Sequence, residues 1–316
     1  VLTDDEIALA WRYILGRDPE SAAIYEAHRR HGDLETLRRI LFDSDEFRSK
    51  YTHYTKSVNR LRFATTPVAR AGVDEPTLAA LLARTRQQWV ALGDTEPYWS
   101  VMTADRYRMD AIEDSRGEFF AAGERAWLGA KATLERNGIG IGADTVCVDF
   151  GCGVGRVAVH AAPMVGALHG YDISPGNLAM AERNVAARGL GNARFHLLRD
   201  LDDFDRVEPY DLLFSTIVLQ HNSPPVQRAM LERLARRARP GGVMCFQLAT
   251  YAAQYSFAVQ AYLATPPAVM DMHVLPQADV FEVMAASGFA VLEVMEDNAI
   301  AHPEWLSTMV LARRRS

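Results

Sequence analysis

Cysteine is scarce in this chain. Its 316 residues include three, at 147, 152 and 245, and they form no CxxC pair and no His/Cys cluster. That scatter excludes a disulfide framework and a thiolate metal centre, and no metal site is expected. Three reduced thiols fit a cytoplasmic protein. Long apolar runs are missing too: none reaches the length of a membrane-spanning helix. Nothing ahead of Thr3-Asp4-Asp5 reads as a secretory leader. Positive charge is not in excess. A net charge of −6 argues against a sequence-independent nucleic-acid surface, and the one basic cluster, Arg313-Arg314-Arg315, reads as a solvated chain end. With 49% hydrophobic and 23% charged residues, the composition is that of an ordinary globular protein. The length suits one large α/β domain and a small one.

The most informative stretch is Val146-Cys147-Val148-Asp149-Phe150-Gly151-Cys152-Gly153-Val154-Gly155-Arg156-Val157. It begins as a buried strand, passes an acid into a glycine turn and leaves as a helix. Glycines there tolerate positive φ and let a ligand approach the backbone, whose amides at the following helix start are free to meet it. The dinucleotide fingerprint needs its third glycine at 156, where this chain has Arg156. The loop therefore suits a nucleoside without a pyrophosphate.

Before this stretch the chain reads as helical. Residues 1–62 form a small all-α domain: Thr3 and Glu6 make a capping box, Ile7, Ala10, Trp11 and Ile14 mark one helical face, and Gly16-Arg17-Asp18-Pro19 stops that helix. Residues 63–118 read as linker, with Thr65-Thr66-Pro67 and residues 71–76 as its breakers, then a helix from about Thr77 that ends at Gly93. This extension is a candidate cover for the ligand site. Its Trp99 is either a core residue or an aromatic face for a cation. Residues 119–316 form the main domain. From 146 onward strands alternate with helices: Val146–Phe150, Ala167–Asp172, Ala193–Leu198, Asp211–Leu219 and Val243–Leu248, then Phe289–Val294 and Thr308–Ala312 as a terminal antiparallel hairpin. The predicted fold is a doubly wound, mostly parallel seven-stranded α/β sheet.

D-F-G-C-G-V-G-R (149–156), G-Y-D-I-S (170–174), L-R-D-L (198–201), D-L-L-F-S-T-I-V-L-Q-H-N (211–222) and R-P-G-G (239–242) occur in one order. On these residues the segment from about 119 to 314 resembles a class I S-adenosylmethionine-dependent methyltransferase. The resemblance implies S-adenosyl-L-methionine as cofactor. It implies a loop of Asp149, Gly151, Cys152, Gly153 and Gly155, with Asp149 approaching the methionine end. Asp172, with Ile173 beside it, would accept the ribose hydroxyls. Asp200 would take the adenine amino group, and Leu201 would add a backbone amide; the alternative for Asp200 is one of several solvated acids in a crowded loop. Thr216 would lie beside the methyl group. His221, just past the fourth strand, is the candidate general base for an alcohol acceptor or else a helix cap, with His273 and His302 as rivals. Where the amino-methylating branch of the family carries an Asn/Asp-Pro-Pro-aromatic motif, this chain has Ser215-Thr216-Ile217-Val218.

L-G-R-D-P (15–19) and S-D-E-F-R (44–48) resemble a short bacterial helical domain of unknown function found beside glycan-related modules. Together the two resemblances lead to O-methylation of a sugar hydroxyl in a bacterial surface glycan or its precursor. Methylation of a small metabolite and an inactive binding module are the alternatives. The small helical domain would serve a protein partner or a homo-oligomer.

Overall fold

The computed structural model describes residues 2–51, 68, 73–253, 255–266, 268–297, 299–300, 302 and 304–315. The proposed breakers Thr65-Thr66-Pro67 and Ala71-Gly72 lie outside them. The chain divides into two compact units, Val1–Phe63 and Ala64–Ser316, so the extension expected at 63–118 belongs to the larger unit.

The first unit holds α1 (Asp4–Leu15), α2 (Ala22–Arg29), α3 (Leu34–Phe42) and α4 (Asp45–Lys50). Thr3 caps α1 reciprocally with Glu6, and Gly16 closes it with a left-handed φ of 68°. Ile7, Trp11, Ile14 and Leu15 pack against Leu37 and Leu41 as its core. Arg17 forks onto Glu46 with bonds of 2.7 and 2.6 Å, tying the end of α1 to α4.

The second unit is built on seven strands: β1 (Val146–Phe150), β2 (Ala167–Asp172), β3 (Ala193–Leu197), β4 (Tyr210–Ser215), β5 (Ala238–Ala252), β6 (Phe289–Glu296) and β7 (Trp305–Arg314). They lie in the order β3-β2-β1-β4-β5-β7-β6. β3 to β5 run parallel; β7 pairs antiparallel with both β5 and β6. Strands of this sheet are apolar on both sides because helices cover both faces. One face carries a core around Val148, Leu213 and Phe246, the other a core around Cys147, Phe214 and Trp127.

The helices of this unit are α5 (Glu75–Thr95), α6 (Pro97–Val101), α7 (Ile112–Arg136), α8 (Ala158–Ala161), α9 (Pro175–Ala186), α10 (Pro224–Arg237), α11 (Val259–Ala264) and α12 (Gln277–Ala286). Three expectations need correction. Pro76 is not linker but the first turn of α5, capped by Asp74, which accepts from the Thr77 amide at 3.0 Å. Gly93 does not end that helix; it lets α5 cross α9, since a Cβ there would stand 1.9 Å from Ser174 Oγ. And β4 stops at Ser215, because Ile217 has φ of 58°, outside the extended range. Strand order reverses between β1 and β4: β1 leads outward to β2 and β3, while β4 lies on its other side. Ligands of open α/β sheets bind beyond the strand ends at such a switch point.

Candidate functional site

At that switch point is a cavity of about 850 Å³, counted out to its mouth. β1 delivers Asp149 and the glycine loop; β2 delivers Asp172 and Ile173; the end of β4 delivers Thr216, Ile217 and Val218; α5 and α6 close it with Trp89, Ser100 and Val101. Glycine is required at 151 and 153. Both have positive φ, 73° and 53°, and a Cβ would come within 2.2 Å of Val218 at the first and 2.6 Å of Val101 at the second.

Asp172 is held rigidly. Its Oδ2 accepts from the Gly153 amide at 2.9 Å and its Oδ1 from the Ser174 amide at 2.8 Å. Each oxygen keeps a further acceptor site. Burial raises this carboxyl to about 6 even though backbone amides oppose the rise. Asp149 is more deeply buried, and desolvation lifts it to about 7; Arg156 opposes and Asp172 adds to the rise. Asp149 Oδ2 and Arg156 Nε are buried without hydrogen-bond partners. An orphaned acceptor and an orphaned donor on one cavity wall suit a ligand carrying both an ammonium and a carboxylate.

The structure thus gathers Asp149, Gly151, Cys152, Gly153, Asp172, Ile173, Thr216 and His221 around one cavity. Four other candidates are not among its lining. Gly155 instead backs onto α9, where a Cβ would lie 3.2 Å from Ala181. Asp200 turns Oδ1 to its own loop, accepting from the amides of Asp202 at 3.0 Å and Asp203 at 3.2 Å. Leu201 is buried in the core with Phe204. Trp99 lies under Arg108, whose guanidinium carbon is 4.7 Å from the ring centroid. Trp89 is the tryptophan that lines the cavity. Neither Trp89 nor Arg156 was among the site residues expected from the sequence. The signal for Arg156 was its place at the end of the glycine turn.

A second chamber, about 1340 Å³ to its mouth, adjoins the first and shares Trp89, Ser100, Val101, Ile217 and His221 with it. His221 is therefore on the common wall. It caps no helix; its Nδ1 lies 3.1 Å from the Asp271 carbonyl oxygen, which can only accept. Nδ1 thus carries the proton and Nε2 the lone pair. Burial lowers the imidazole to about 4, so it is neutral at physiological pH. His302 lines the second chamber, whereas His273 is in neither lining and bonds Tyr255 Oη through Nδ1 at 2.9 Å.

Residues 147–242 match a family model described as a methyltransferase domain. Over 104 residues the chain is 36% identical to the trans-aconitate 2-methyltransferase of Methylobacterium nodulans, an overlap of 32% of this chain and 37% of that one. The chain therefore spans little more than a third of that curated relative. Among solved structures, the magnesium protoporphyrin IX methyltransferase of Synechocystis PCC 6803 with bound SAH superposes with a TM-score of 0.52 at 18% identity, covering 73% of this chain and 99% of that one. The [4+2]-cyclase SpnF superposes with a TM-score of 0.50 at 14% identity, covering 80% and 99%. These structural likenesses concern the fold, and a fold shared with a cyclase does not by itself fix the chemistry.

Proposed function

We propose that the chain is an S-adenosylmethionine-dependent methyltransferase acting on an oxygen of a small molecule. One observation carries this reading. Two carboxylates, Asp149 and Asp172, stand at the tips of neighbouring strands in one cavity, and Arg156, whose Nε is buried without a hydrogen-bond partner, lines the same cavity. The match of residues 147–242 to a methyltransferase domain, and the name of the curated relative, support it.

The residues fit the cofactor by charge and by orphaned polar atoms. Asp172 would take the ribose hydroxyls, Asp149 the amino group and Arg156 the carboxylate. Ile173 and Leu198 would flank the adenine, and Asp200 with the Leu201 amide, two and three residues after Leu198, remain its candidate polar partners. Cys152 and the glycine amides would follow the methionine portion, and Thr216 would border the methyl group. When bound, S-adenosylmethionine supplies an electrophilic methyl on a sulfonium. His221 Nε2 accepts the proton of an acceptor hydroxyl, and the Asp271 carbonyl holds the imidazole in the tautomer that permits this. Val101 and Val218 pack closely over the glycines and line the cavity with apolar surface.

The sugar acceptor expected from the N-terminal resemblance has no counterpart in the matched methyltransferase domain. A partner at residues 1–62 is supported by Leu9 and Tyr13, one turn apart on α1 and 51% and 82% exposed. Calorimetry tests the central reading. S-adenosylmethionine should bind the full chain stoichiometrically, and Asp172→Ala should lose at least about a hundredfold in affinity while remaining folded, as read by circular dichroism. Undiminished affinity in that variant would remove the ribose assignment.

A further inference from the structure

We infer that the second chamber takes a largely apolar, ring-bearing acceptor with a single reacting hydroxyl, and not a sugar. This rests on the methyl-transfer reading and names its substrate class. Met102, Met270, Met272, Ile300 and Trp305 form much of the lining. Among the described residues no carboxylate, asparagine or lysine lines the chamber. The one arginine, Arg106, is already engaged, bonding Glu118 at 3.0 Å and lying 4.7 Å over the Tyr107 ring. A sugar would bring several hydroxyls, and of the carboxylates and side-chain amides that pair them two at a time this wall, among the described residues, has Gln220 alone; each hydroxyl left unpaired counts against binding. Methionines and flat indole faces instead adapt to rings of varied outline.

Among the polar side chains of the lining, which also include Thr103, Tyr107 and His302, Gln220 and His221 stand side by side in the chain. Gln220 Oε1 is buried with no partner, and the neighbouring His221, its Nδ1 committed to the Asp271 carbonyl, lines both cavities. That arrangement receives one hydroxyl at the end of an apolar body. Backbone strain points the same way. Among the described residues, the non-glycine positions with positive φ are Ile217 (58°) and Met270 (57°), and both line this chamber. A β-branched residue in that region is a genuine outlier. Strain kept at two lining positions marks a surface whose shape is functional. In the reaction the hydroxyl oxygen bonds to the methyl carbon as the carbon–sulfur bond breaks. The bonding pair remains on sulfur, leaving S-adenosylhomocysteine, and the proton passes to His221 Nε2 and then to solvent.

The test uses two probes, 2-naphthol and methyl α-D-glucopyranoside, titrated into the full chain with S-adenosylhomocysteine present and followed by tryptophan fluorescence and calorimetry. The naphthol should bind saturably and at least about tenfold more tightly than the glucoside, and mass spectrometry with S-adenosylmethionine should show methyl naphthyl ether. Met272→Glu should cut naphthol affinity by at least about tenfold through burial of a charge, with S-adenosylhomocysteine affinity unchanged, and Met272→Leu should retain it. Met102→Glu, on a different element, serves the same purpose should Met272→Glu not fold. Equal or tighter binding of the glucoside, no naphthol binding, or normal naphthol affinity in the glutamate variants would overturn the inference. Failure of S-adenosylhomocysteine to bind, with naphthol still bound in its absence, would sink the methyltransferase reading and leave the chamber's preference standing.

Discussion

Trp89 and His221 meet at the wall between the two chambers, ring centroids 4.9 Å apart and planes inclined by 60°. One comes from α5, ahead of the sheet, the other from the turn after β4. The indole limits how the imidazole can swing, while the Asp271 carbonyl fixes its proton on Nδ1. His221→Gln should therefore lower turnover by about 10²–10⁴-fold with the acceptor, because the proton loses its destination. Cofactor affinity measured by calorimetry should stay within about twofold. Unchanged turnover on a verified acceptor would show that another group takes the proton.

The lowered imidazole predicts a particular pH profile. A base at about 4 stays neutral above pH 5, so protonation of His221 should not limit turnover between pH 6 and 8. The two carboxyls should dominate instead. Their native values of about 7 and about 6 lie above the ordinary 3.8, so the native state holds protons that the unfolded chain has released. The stabilisation from these protons is full below about pH 4 and lost as pH rises through 6 to 7. The bound cofactor favours both groups ionised, Asp149 facing its ammonium and Asp172 accepting from its ribose hydroxyls. S-adenosylmethionine affinity should thus rise by about tenfold or more from pH 5 to 8, with proton release on binding below neutrality. Calorimetry in buffers of different ionisation enthalpy measures that release. Asp149→Asn should remove part of it, and a flat affinity profile would contradict the pairing of Asp149 with the amino group and of an ionised Asp172 with the ribose hydroxyls.

Ile217 owes its position to a buried chain of polar groups. Its amide donates to Gln247 Oε1 at 2.7 Å, Gln247 Nε2 donates to Ser307 Oγ at 2.8 Å, and Ser307 Oγ donates to Asp297. Gln247→Leu would strand the Ile217 amide and relax the strained turn beside Thr216. Stability should fall by about 1–3 kcal/mol, read by denaturant unfolding. Turnover should fall further than cofactor affinity, because Ile217 borders both chambers. Equal kcat in this variant and the parent would show that the turn needs no such support.

This turn also shows where sequence reasoning stops. β1 and β2 were legible to the residue, since each apolar run ends at an acid followed by a turn: Asp149 before Gly151, Asp172 before Ser174. The β-branched and apolar run Thr216-Ile217-Val218-Leu219 reads equally well as the continuation of β4. What bends it away is the bond to Gln247, thirty residues later, which no local pattern reveals. Trp89 was legible as an apolar-face residue of its helix, but not as a cavity wall, because that depends on the angle at which α5 crosses α9. Asp200 had the right spacing for a ligand, yet its neighbours' amides claim one of its oxygens.

The crossing of α5 and α9 rests on two glycines. A Cβ at Gly93 would lie 1.9 Å from Ser174 Oγ, and one at Gly176 would lie 2.5 Å from the Gly93 carbonyl oxygen. Ser174 is fully buried and caps α9 by accepting from the Asn177 amide at 3.3 Å. Alanine at 93 would improve α5 by roughly 1 kcal/mol on helix propensity alone. Against this stand the lost cap, about 1 kcal/mol, and overpacking of about 1–3 kcal/mol. Gly93→Ala should therefore destabilise by about 1–3 kcal/mol, lowering the melting temperature by about 2–12 °C. Because Ser174 also donates its amide to Asp172, cofactor affinity should fall in the same variant. Adding Ser174→Gly opens the space that the new methyl needs and should restore part of the melting temperature. A raised melting temperature in Gly93→Ala alone would mean that the helices can separate without cost, and that Gly93 is not what brings α5 against the nucleoside end of the cavity.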